Sequence, residues 1–105
     1  MSAIMFQRYS LRPGADRAEL GQALLDSCRY IRSLEGCLSA RYFWADWNHA
    51  AVLSEYDAIG RPYSYAPTPD GARLGIRMAD LANLDSTELM SGAREGNEAY
   101  VRGTS

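Results

Sequence analysis

The segment CLSARYFWADWNHAAVLSEYD, residues 37–57, decides the fold. Residues 38–45 are rich in aromatic side chains, residues 46–48 are typical turn formers, and residues 50–56 again have the composition of a strand. Two strand-like runs joined by a short polar turn are typical of a β-hairpin. The hairpin contains both tryptophans and the only histidine of the chain. An aromatic-rich strand suits a ligand pocket and a hydrophobic core equally, so this segment predicts structure more directly than function.

A strand and a helix are predicted before the hairpin. Residues 3–11 alternate between two faces, as expected of a strand, and a Pro-Gly pair ends the run. Asp16 with Glu19 three residues later forms a capping box, which marks the start of a helix. Gly36 suits the left-handed position that closes such a helix. The apolar positions at helical spacing are Leu20, Leu24, Cys28 and Ile31.

A proline-rich loop and a second helix are predicted after the hairpin. Residues 58–69 contain three prolines and a glycine, so this loop is expected to have no regular structure. Asp70 is a good N-cap, and the helix is predicted to run from there to Leu84. Its apolar stripe consists of Leu74, Met78 and Leu81.

The last part of the chain gives a weaker signal. Residues 88–94 are interpreted as a fourth strand, although Asp85 and Glu88 also resemble a further helix cap. The strand is favoured because a βαββα order usually closes with one more strand. The tail, residues 96–105, is expected to add an edge strand at 99–102, to swap onto a partner subunit, or to be loose.

The order strand, helix, strand, strand, helix, strand predicts a ferredoxin-like α+β fold, with one domain over residues 1–105. Both helices then lie on one face of a four-stranded sheet, which leaves apolar side chains on the other face without cover. The second strand is largely uncharged on both faces, as expected of a strand covered on both sides. Dimerisation through the open face is therefore expected.

Composition argues against several classes of protein. The net charge is −2, and the eleven basic residues are all arginines scattered singly, which argues against a nucleic-acid partner and excludes a lysine Schiff base. Two cysteines are too few for a zinc site and are expected to stay reduced. The sequence has no apolar run of about 20 residues and no secretory signal pattern. A cytoplasmic location without a membrane partner is expected.

Four short motifs in the first half of the chain carry a resemblance to a known family. They read FQRYSLRPG, ADRAEL, LEGC and VLSEYD. Together they resemble the antibiotic biosynthesis monooxygenase family of small dimeric α+β barrels. The resemblance implies a βαββαβ subunit that forms such a dimeric barrel, with a pocket between sheet and helices. The chain departs from the family pattern at Tyr56, where tryptophan is common, and in the inserted segment RPYSYAPTPDG, which has no histidine.

The resemblance also implies an activity. Several family members oxidise polyphenols such as anthrones with O₂ and without metal or flavin, because the deprotonated substrate itself gives an electron to oxygen. It therefore implies a monooxygenase that needs no cofactor and acts on a small aromatic, polyketide-like molecule. A non-redox cyclase or isomerase and a binding module without turnover stay open as alternatives. Haem degradation ranks lower, because the lone His49 lies in the wrong element for the axial ligand.

Three residues are candidates for catalysis. Histidine ionises near neutral pH, so His49 is a candidate proton acceptor, although polar residues are also common in turns. Tyr56 has a hydroxyl suited to orienting or deprotonating a phenol. Arg41 interrupts an apolar strand, as Arg8 does, and it would either hold a substrate anion or pair with Glu55.

Five further residues are candidates for substrate binding. Trp44 and Tyr42 are suited to stacking on a flat substrate or to filling the core. Tyr63 and Tyr65 lie in the long loop, which is either a functional lid or a surface loop held by its aromatic rings. Arg73, near the start of the second helix, would reach the same pocket mouth or be solvated.

Overall fold

The structure of the chain, a computed structural model, describes residues 2–92. Its elements follow the predicted order, so the ferredoxin-like α+β fold is confirmed. The tail for which an edge strand or a swap is predicted lies outside the described residues. The elements are β1 (Ser2–Leu11), α1 (Arg17–Arg32), β2 (Cys37–Trp44), β3 (His49–Tyr56), a short 3-10 helix (Arg61–Tyr63), α2 (Pro69–Leu81) and β4 (Ala82–Gly92).

The four strands form one antiparallel sheet in the order β2-β3-β1-β4. The hairpin β2-β3 is confirmed, with Tyr42 opposite Val52. β1 is a central strand, and its Met5 lies between Ser54 of β3 and Leu89 of β4. The first and last described strands therefore meet in the sheet, which brings distant parts of the sequence to one site.

The main core lies between the helices and one face of the sheet. Three of the four stripe positions predicted for α1 are buried, and the fourth, Ile31, packs against them. Burial of these side chains is the principal force that fixes α1 on the sheet. The buried members of the cluster are Leu20, Ala23, Leu24, Cys28, Ala40, Ala50, Val52, Met78, Leu81 and Ala82.

Strand alternation decides which side chains of β2 face the helices. Tyr42 and Trp44 pack against the main core. Arg41 lies on the opposite face, where its register partner is Leu53, and Phe43 shares that face and is 46% exposed. Neither described helix packs on this second face, which we call the open face of the sheet.

The helix ends follow ordinary capping chemistry. Asp16 caps α1 as predicted, because its side chain accepts a hydrogen bond from a backbone N–H of the first turn at 2.7 Å. Gly36 has the predicted left-handed conformation, with φ +82°, but it does not close the helix as predicted, because α1 ends at Arg32 and Ser33 is its C-cap. α2 begins at Pro69, because Thr68 and not the predicted Asp70 is its N-cap. The Thr68 hydroxyl accepts from the N–H of Gly71 at 3.0 Å.

The boundary between α2 and β4 differs from the prediction. The helix was expected to reach Leu84 and the strand to cover 88–94, but the helix ends at Leu81 and the strand begins directly at Ala82. The backbone N–H that follows β1 donates to the Leu81 carbonyl at 2.9 Å, and Ala82 pairs with Leu11. Pairing of Ala82 with β1 therefore ends the helix at Leu81, although the apolar pattern of the sequence predicts a longer helix.

The loop expected to lack regular structure, residues 58–69, contains the 3-10 helix Arg61–Tyr63 and the first residue of α2. Arg61 anchors this turn, because its guanidinium donates two hydrogen bonds to Asp57 at 3.0 and 3.1 Å. A bidentate pair of this kind fixes the geometry of both side chains.

Candidate functional site

A cavity of about 510 Å³ opens between α1, α2 and the adjoining ends of β1 and β4. Its size is typical of small-molecule sites. We call it the main cavity. Its apolar lining residues besides glycine are Ile31, Leu74, Met78, Ala79, Ala82 and Leu84. Its polar lining residues are Tyr9, Arg12, Ser27, Tyr30 and Asn83.

Tyr9 reaches the main cavity from the helix-facing side of β1. It packs against the main core, and burial raises the pKa of its phenol, with the nearby Cys28 as the second cause. A phenol is already neutral at physiological pH at its ordinary pKa, so Tyr9 keeps its proton to donate. A neutral donor beside apolar walls is suited to binding a negatively charged oxygen.

Tyr30 joins the two helices beside the cavity. Its hydroxyl oxygen lies 2.5 Å from Oγ1 of Thr68, the N-cap of α2. A Cβ atom at Gly71 would lie only 2.8 Å from the same hydroxyl, so a larger residue there would have to displace the Tyr30 side chain. The Tyr30 ring is therefore held in place and forms a fixed wall of the cavity.

Arg12 is the one positively charged side chain among the described lining residues. It follows the end of β1, and its Nε donates to the carbonyl of Ala79 in α2 at 2.6 Å. This bond holds the guanidinium against α2 while the side chain stays exposed. A guanidinium fixed at the edge of an apolar cavity is suited to holding an enolate or phenolate.

His49, the predicted base, lies at the start of β3 and does not line the main cavity. Its Nδ1 is 2.8 Å from Oδ1 of Asp46, and hydrogen bonding to His49 is the main cause of the lowered pKa of Asp46. With Arg8 and Asp85 it lines a separate hollow of about 300 Å³. Tyr9 lines both spaces. The catalytic role of His49 stays a prediction.

Arg41 is exposed on the open face of the sheet, away from the main cavity. Its guanidinium carbon lies 5.7 Å from the ring centroid of Phe43. Among residues 2–92 no salt bridge joins it to Glu55, so the expected ion pair does not form. Arg8 instead approaches Glu88 at 3.9 Å. Both arginines reach solvent in a single subunit, and neither needs a buried partner.

Trp44 packs beside α1 and not beside the main cavity. The Arg17 guanidinium carbon lies 3.8 Å from the Trp44 ring centroid and 4.3 Å from that of Trp47. The Nε atom of Arg17 also donates a hydrogen bond to the Trp47 carbonyl at 3.0 Å. Arg17 therefore contacts both indole rings. Tyr42 faces α1 as well and lines a hollow of about 270 Å³.

Tyr56 and Tyr65 form a second small cluster at the other end of the sheet. Tyr56 is only 4% exposed, and its ring centroid lies 6.3 Å from that of Tyr65. The Tyr65 hydroxyl donates to the carbonyl of Glu35, and burial raises the pKa of both phenols. Tyr63 is 69% exposed. The contacts of Tyr65 favour a surface loop held by an aromatic ring over a lid on the main cavity.

Arg73 pairs with Asp70 on α2 and lines a charged hollow of about 390 Å³. The same hollow contains Asp26 and Arg77, whose side chains are 3.2 Å apart. Tyr30 lines both this hollow and the main cavity, so the two spaces adjoin. None of the eight candidates predicted from sequence lines the main cavity, but Arg73 and His49 line hollows that share at least one residue with it.

Sequence reasoning missed the polar residues that do line this cavity. Tyr9 shares the strand face of Met5 and Leu11, and that face is the one that the helices cover. The alternation of the first strand therefore contained a signal for Tyr9. Tyr30 directly precedes the last stripe residue of α1, whereas Arg12 lies outside any regular element and gave no comparable signal.

The fold is shared with solved structures of oxygenases and related proteins. SnoaB, a cofactor-independent oxygenase from Streptomyces nogalater, is 8% identical with a TM-score of 0.76, over 89% of this chain and 94% of that chain. A Chloroflexus aurantiacus protein provisionally assigned to the antibiotic biosynthesis monooxygenases is 17% identical with a TM-score of 0.73, over 89% and 94%. Rv0793 from Mycobacterium tuberculosis is 18% identical with a TM-score of 0.72, over 89% and 96%. The chain has the antibiotic biosynthesis monooxygenase fold.

The main cavity lies between the helices and the sheet, where the motif resemblance implied a pocket. No family model and no curated protein matches the sequence. A dimeric ferredoxin-like protein of unknown function from Bacteroides fragilis is also similar, at 14% identity and a TM-score of 0.59, over 85% of this chain and 92% of that chain. The similarity is therefore one of fold, and activity has to be argued from the cavity itself.

The chemistry available in the cavity is that of phenol, hydroxyl, amide and guanidinium groups. Within residues 2–92 no three histidine, cysteine, aspartate or glutamate side chains are placed to hold a metal ion. No described helix is long and apolar enough to cross a membrane. The lining groups are suited to binding an oxygen-bearing aromatic molecule and stabilising its anion.

Proposed function

We propose that this chain belongs to the antibiotic biosynthesis monooxygenase family and oxidises a flat, phenolic, polyketide-like molecule with O₂ and without a cofactor. The observation that supports this most directly is the main cavity, which combines apolar walls, two tyrosines and one arginine on the fold that SnoaB also has. An anthrone or a hydroquinone matches these groups in shape and in chemistry.

The proposed reaction on an anthrone consumes one O₂ and yields a quinone and water. The substrate first loses a proton from its methylene carbon and becomes an enolate. The enolate gives one electron to O₂, and the resulting radical and superoxide combine into a peroxide anion at that carbon, which takes up a proton from water to give the hydroperoxide. The hydroperoxide then loses water, which leaves a new carbonyl group, so one oxygen atom enters the product and the other leaves as water.

Two side chains would favour the anionic form of the substrate. Arg12 places a positive charge at the cavity edge, and Tyr9 presents a neutral O–H to the same cavity. Both stabilise a developing enolate oxygen, and this lowers the pKa of the bound substrate. The proton then passes to water at the open mouth, or to His49 as the sequence predicts.

We also propose that the subunit forms a homodimer through the open face of the sheet. This face exposes Phe43 (46%) and Met90 (45%) and carries Ile4, Phe6 and Leu53 on the two central strands. Apolar side chains gathered on one sheet face are typical of a protein interface. The partner would cover the face that the helices leave open.

Oxygen uptake by the purified chain with an anthrone or a hydroquinone tests the proposed reaction. The wild type should exceed the uncatalysed rate, and Arg12→Gln should lower kcat/KM by about 10–100-fold, as expected when one charge-stabilising group is lost. Arg73→Gln is the matched control, because Arg73 already pairs with Asp70 outside the cavity. Its kcat/KM should stay within about twofold.

Three results would redirect the proposal. Background rates across a varied panel of phenols would exclude the oxygenase. Product formation that persists without oxygen would indicate the cyclase or isomerase alternative. Loss of activity in His49→Ala with no effect of Arg12→Gln would indicate that the catalytic site is the hollow that His49 lines and not the main cavity.

A further inference from the structure

A row of four side chains crosses the open face of the sheet from β2 to β4. Arg41 on β2 begins the row, and its register partner on β3 is Leu53. Leu53 is followed by Phe6 on β1, and Phe6 is followed by Glu88 on β4. Leu53 and Phe6 are half-buried, whereas Arg41 and Glu88 are exposed. The row therefore has a positive end, an apolar middle and a negative end.

The two charged ends of this row do not meet within one subunit. Three strand spacings separate β2 from β4, which is about 14 Å, and the two apolar side chains lie between them. Within residues 2–92 no salt bridge reaches Arg41. Glu88 approaches Arg8 at 3.9 Å, but both side chains are more than half exposed, so this contact contributes little. Arg41 and Glu88 are therefore both available to a partner molecule.

The row is self-complementary when it is turned round. In a two-fold dimer the same face of each subunit packs on the other, and the symmetry axis lies between the two sheets. An axis along the strands places β2 of one subunit over β4 of the other, so that opposite charges face each other and the apolar middles meet. An axis across the strands places β2 over β2 and brings Arg41 towards its own copy, which like-charge repulsion disfavours.

The spacing of packed sheets suits a direct contact between the two charged side chains. Sheets that pack face to face lie about 10 Å apart, a gap that an arginine and a glutamate pointing at each other from the two backbones bridge. The usual rotation of about 30° between such sheets shifts the facing positions near the sheet edge by about one residue. Both side chains are long and flexible enough to follow this shift.

We infer that the open face binds a second copy of this chain with the two-fold axis along the strands, so that Arg41 of each subunit pairs with Glu88 of the partner subunit. The inference rests on the proposed homodimer and is independent of the proposed oxygen chemistry. The apolar middle of the row supplies the burial that holds the two subunits together, and the charged ends select their orientation.

Charge reversal at the two ends of the row tests this orientation. The Kd of the dimer is measured by sedimentation velocity on a dilution series of the full chain. Arg41→Glu should raise this Kd by about 10–100-fold, because symmetry creates two like-charge contacts in each dimer. Combination of Arg41→Glu with Glu88→Arg should return the Kd to within about threefold of the wild-type value. Both positions are exposed in the subunit, so its fold does not depend on either charge.

Mixing the two single variants provides a second readout. A dimer of one Arg41→Glu chain and one Glu88→Arg chain has opposite charges at both contacts, so native mass spectrometry should show it in excess over either homodimer. Glu55→Arg is the matched control, because Glu55 is another glutamate of the open face but lies opposite Ile4 and Ser39, outside the row. It should not rescue Arg41→Glu.

The outcomes separate this inference from the proposals on which it depends. Rescue by Glu88→Arg together with the preferred mixed dimer would support it, whether or not oxygen uptake is observed. A dimer whose Kd is unchanged by Arg41→Glu would overturn the orientation and leave the homodimer in place. Rescue by Glu55→Arg and not by Glu88→Arg would overturn the orientation as well. A monomeric wild type would overturn both the inference and the homodimer.

Discussion

Gly36 is the position at which replacement of glycine by alanine is expected to strain the backbone most. Its φ of +82° lies in the left-handed region, where an alanine costs roughly 1–2 kcal/mol. Its carbonyl also accepts the N–H of Asp57 at 2.9 Å, which joins the turn before β2 to the end of β3. Replacement of Gly36 by alanine therefore strains a junction between two core elements.

The added Cβ would also collide with the side chains beside it. It would lie 2.7 Å from Oδ1 of Asp57 and 2.9 Å from Cδ of Arg61. Those two residues form the bidentate pair that anchors the 3-10 helix, so relief of the collision has to break or shift that pair. The loss from Gly36→Ala should accordingly exceed the backbone term alone.

Gly14→Ala is the matched control for this prediction. Gly14 has a nearly identical φ of +81°, but a Cβ there meets nothing within 4 Å. Thermal unfolding followed by circular dichroism should show a Tm loss of about 4–16 °C for Gly14→Ala, and a clearly larger one for Gly36→Ala. The excess should shrink when Gly36→Ala is combined with Arg61→Ala. Equal losses at the two glycines would refute the collision and leave backbone strain as the whole effect.

Three further predictions address the core, the pH dependence and the dimer. Leu24→Ala removes a fully buried side chain of α1 and should cost about 2–5 kcal/mol in urea unfolding; a loss below about 1 kcal/mol would contradict the core assignment. Hydrogen bonding to Arg61 lowers the pKa of Asp57, so the folded carboxylate stabilises the protein above about pH 4 and this stability is lost as pH falls through the folded-state pKa. Asp57→Asn should therefore lower Tm at pH 7 and not at pH 2, and a constant difference would argue against the ion pair. Leu53→Asp on the open face should halve the mass measured by light scattering, whereas a monomeric wild type would refute the dimer.

The elements of the fold could be predicted from local patterns. The spacing of Leu20, Leu24 and Cys28 located α1, and the aromatic alternation around Tyr42 located the hairpin. These patterns are reliable because burial of one face depends on side chains close together in sequence. The predicted end of α2 was wrong because the true end, at Leu81, depends on a contact between distant parts of the sequence. The helix pattern continues beyond it, and the pairing of Ala82 with β1 depends on a strand seventy residues earlier.

The orientation of β2 was open from sequence because both of its faces are largely uncharged. Tyr42 and Trp44 turned out to face the helices, while Arg41 and Phe43 occupy the open face. The expectation of a buried arginine with a carboxylate partner assumed that both faces of a single subunit are covered. In the structure the open face of a single subunit is uncovered, so Arg41 reaches solvent and needs no ion pair with Glu55.

The candidate site was harder to predict because no single segment forms it. Arg12, Tyr30 and Gly75 come from three separate parts of the chain, and each is unremarkable among its neighbours. His49 drew attention because it is the only histidine, but chemical capability does not indicate position, and the hairpin tip places it in another hollow.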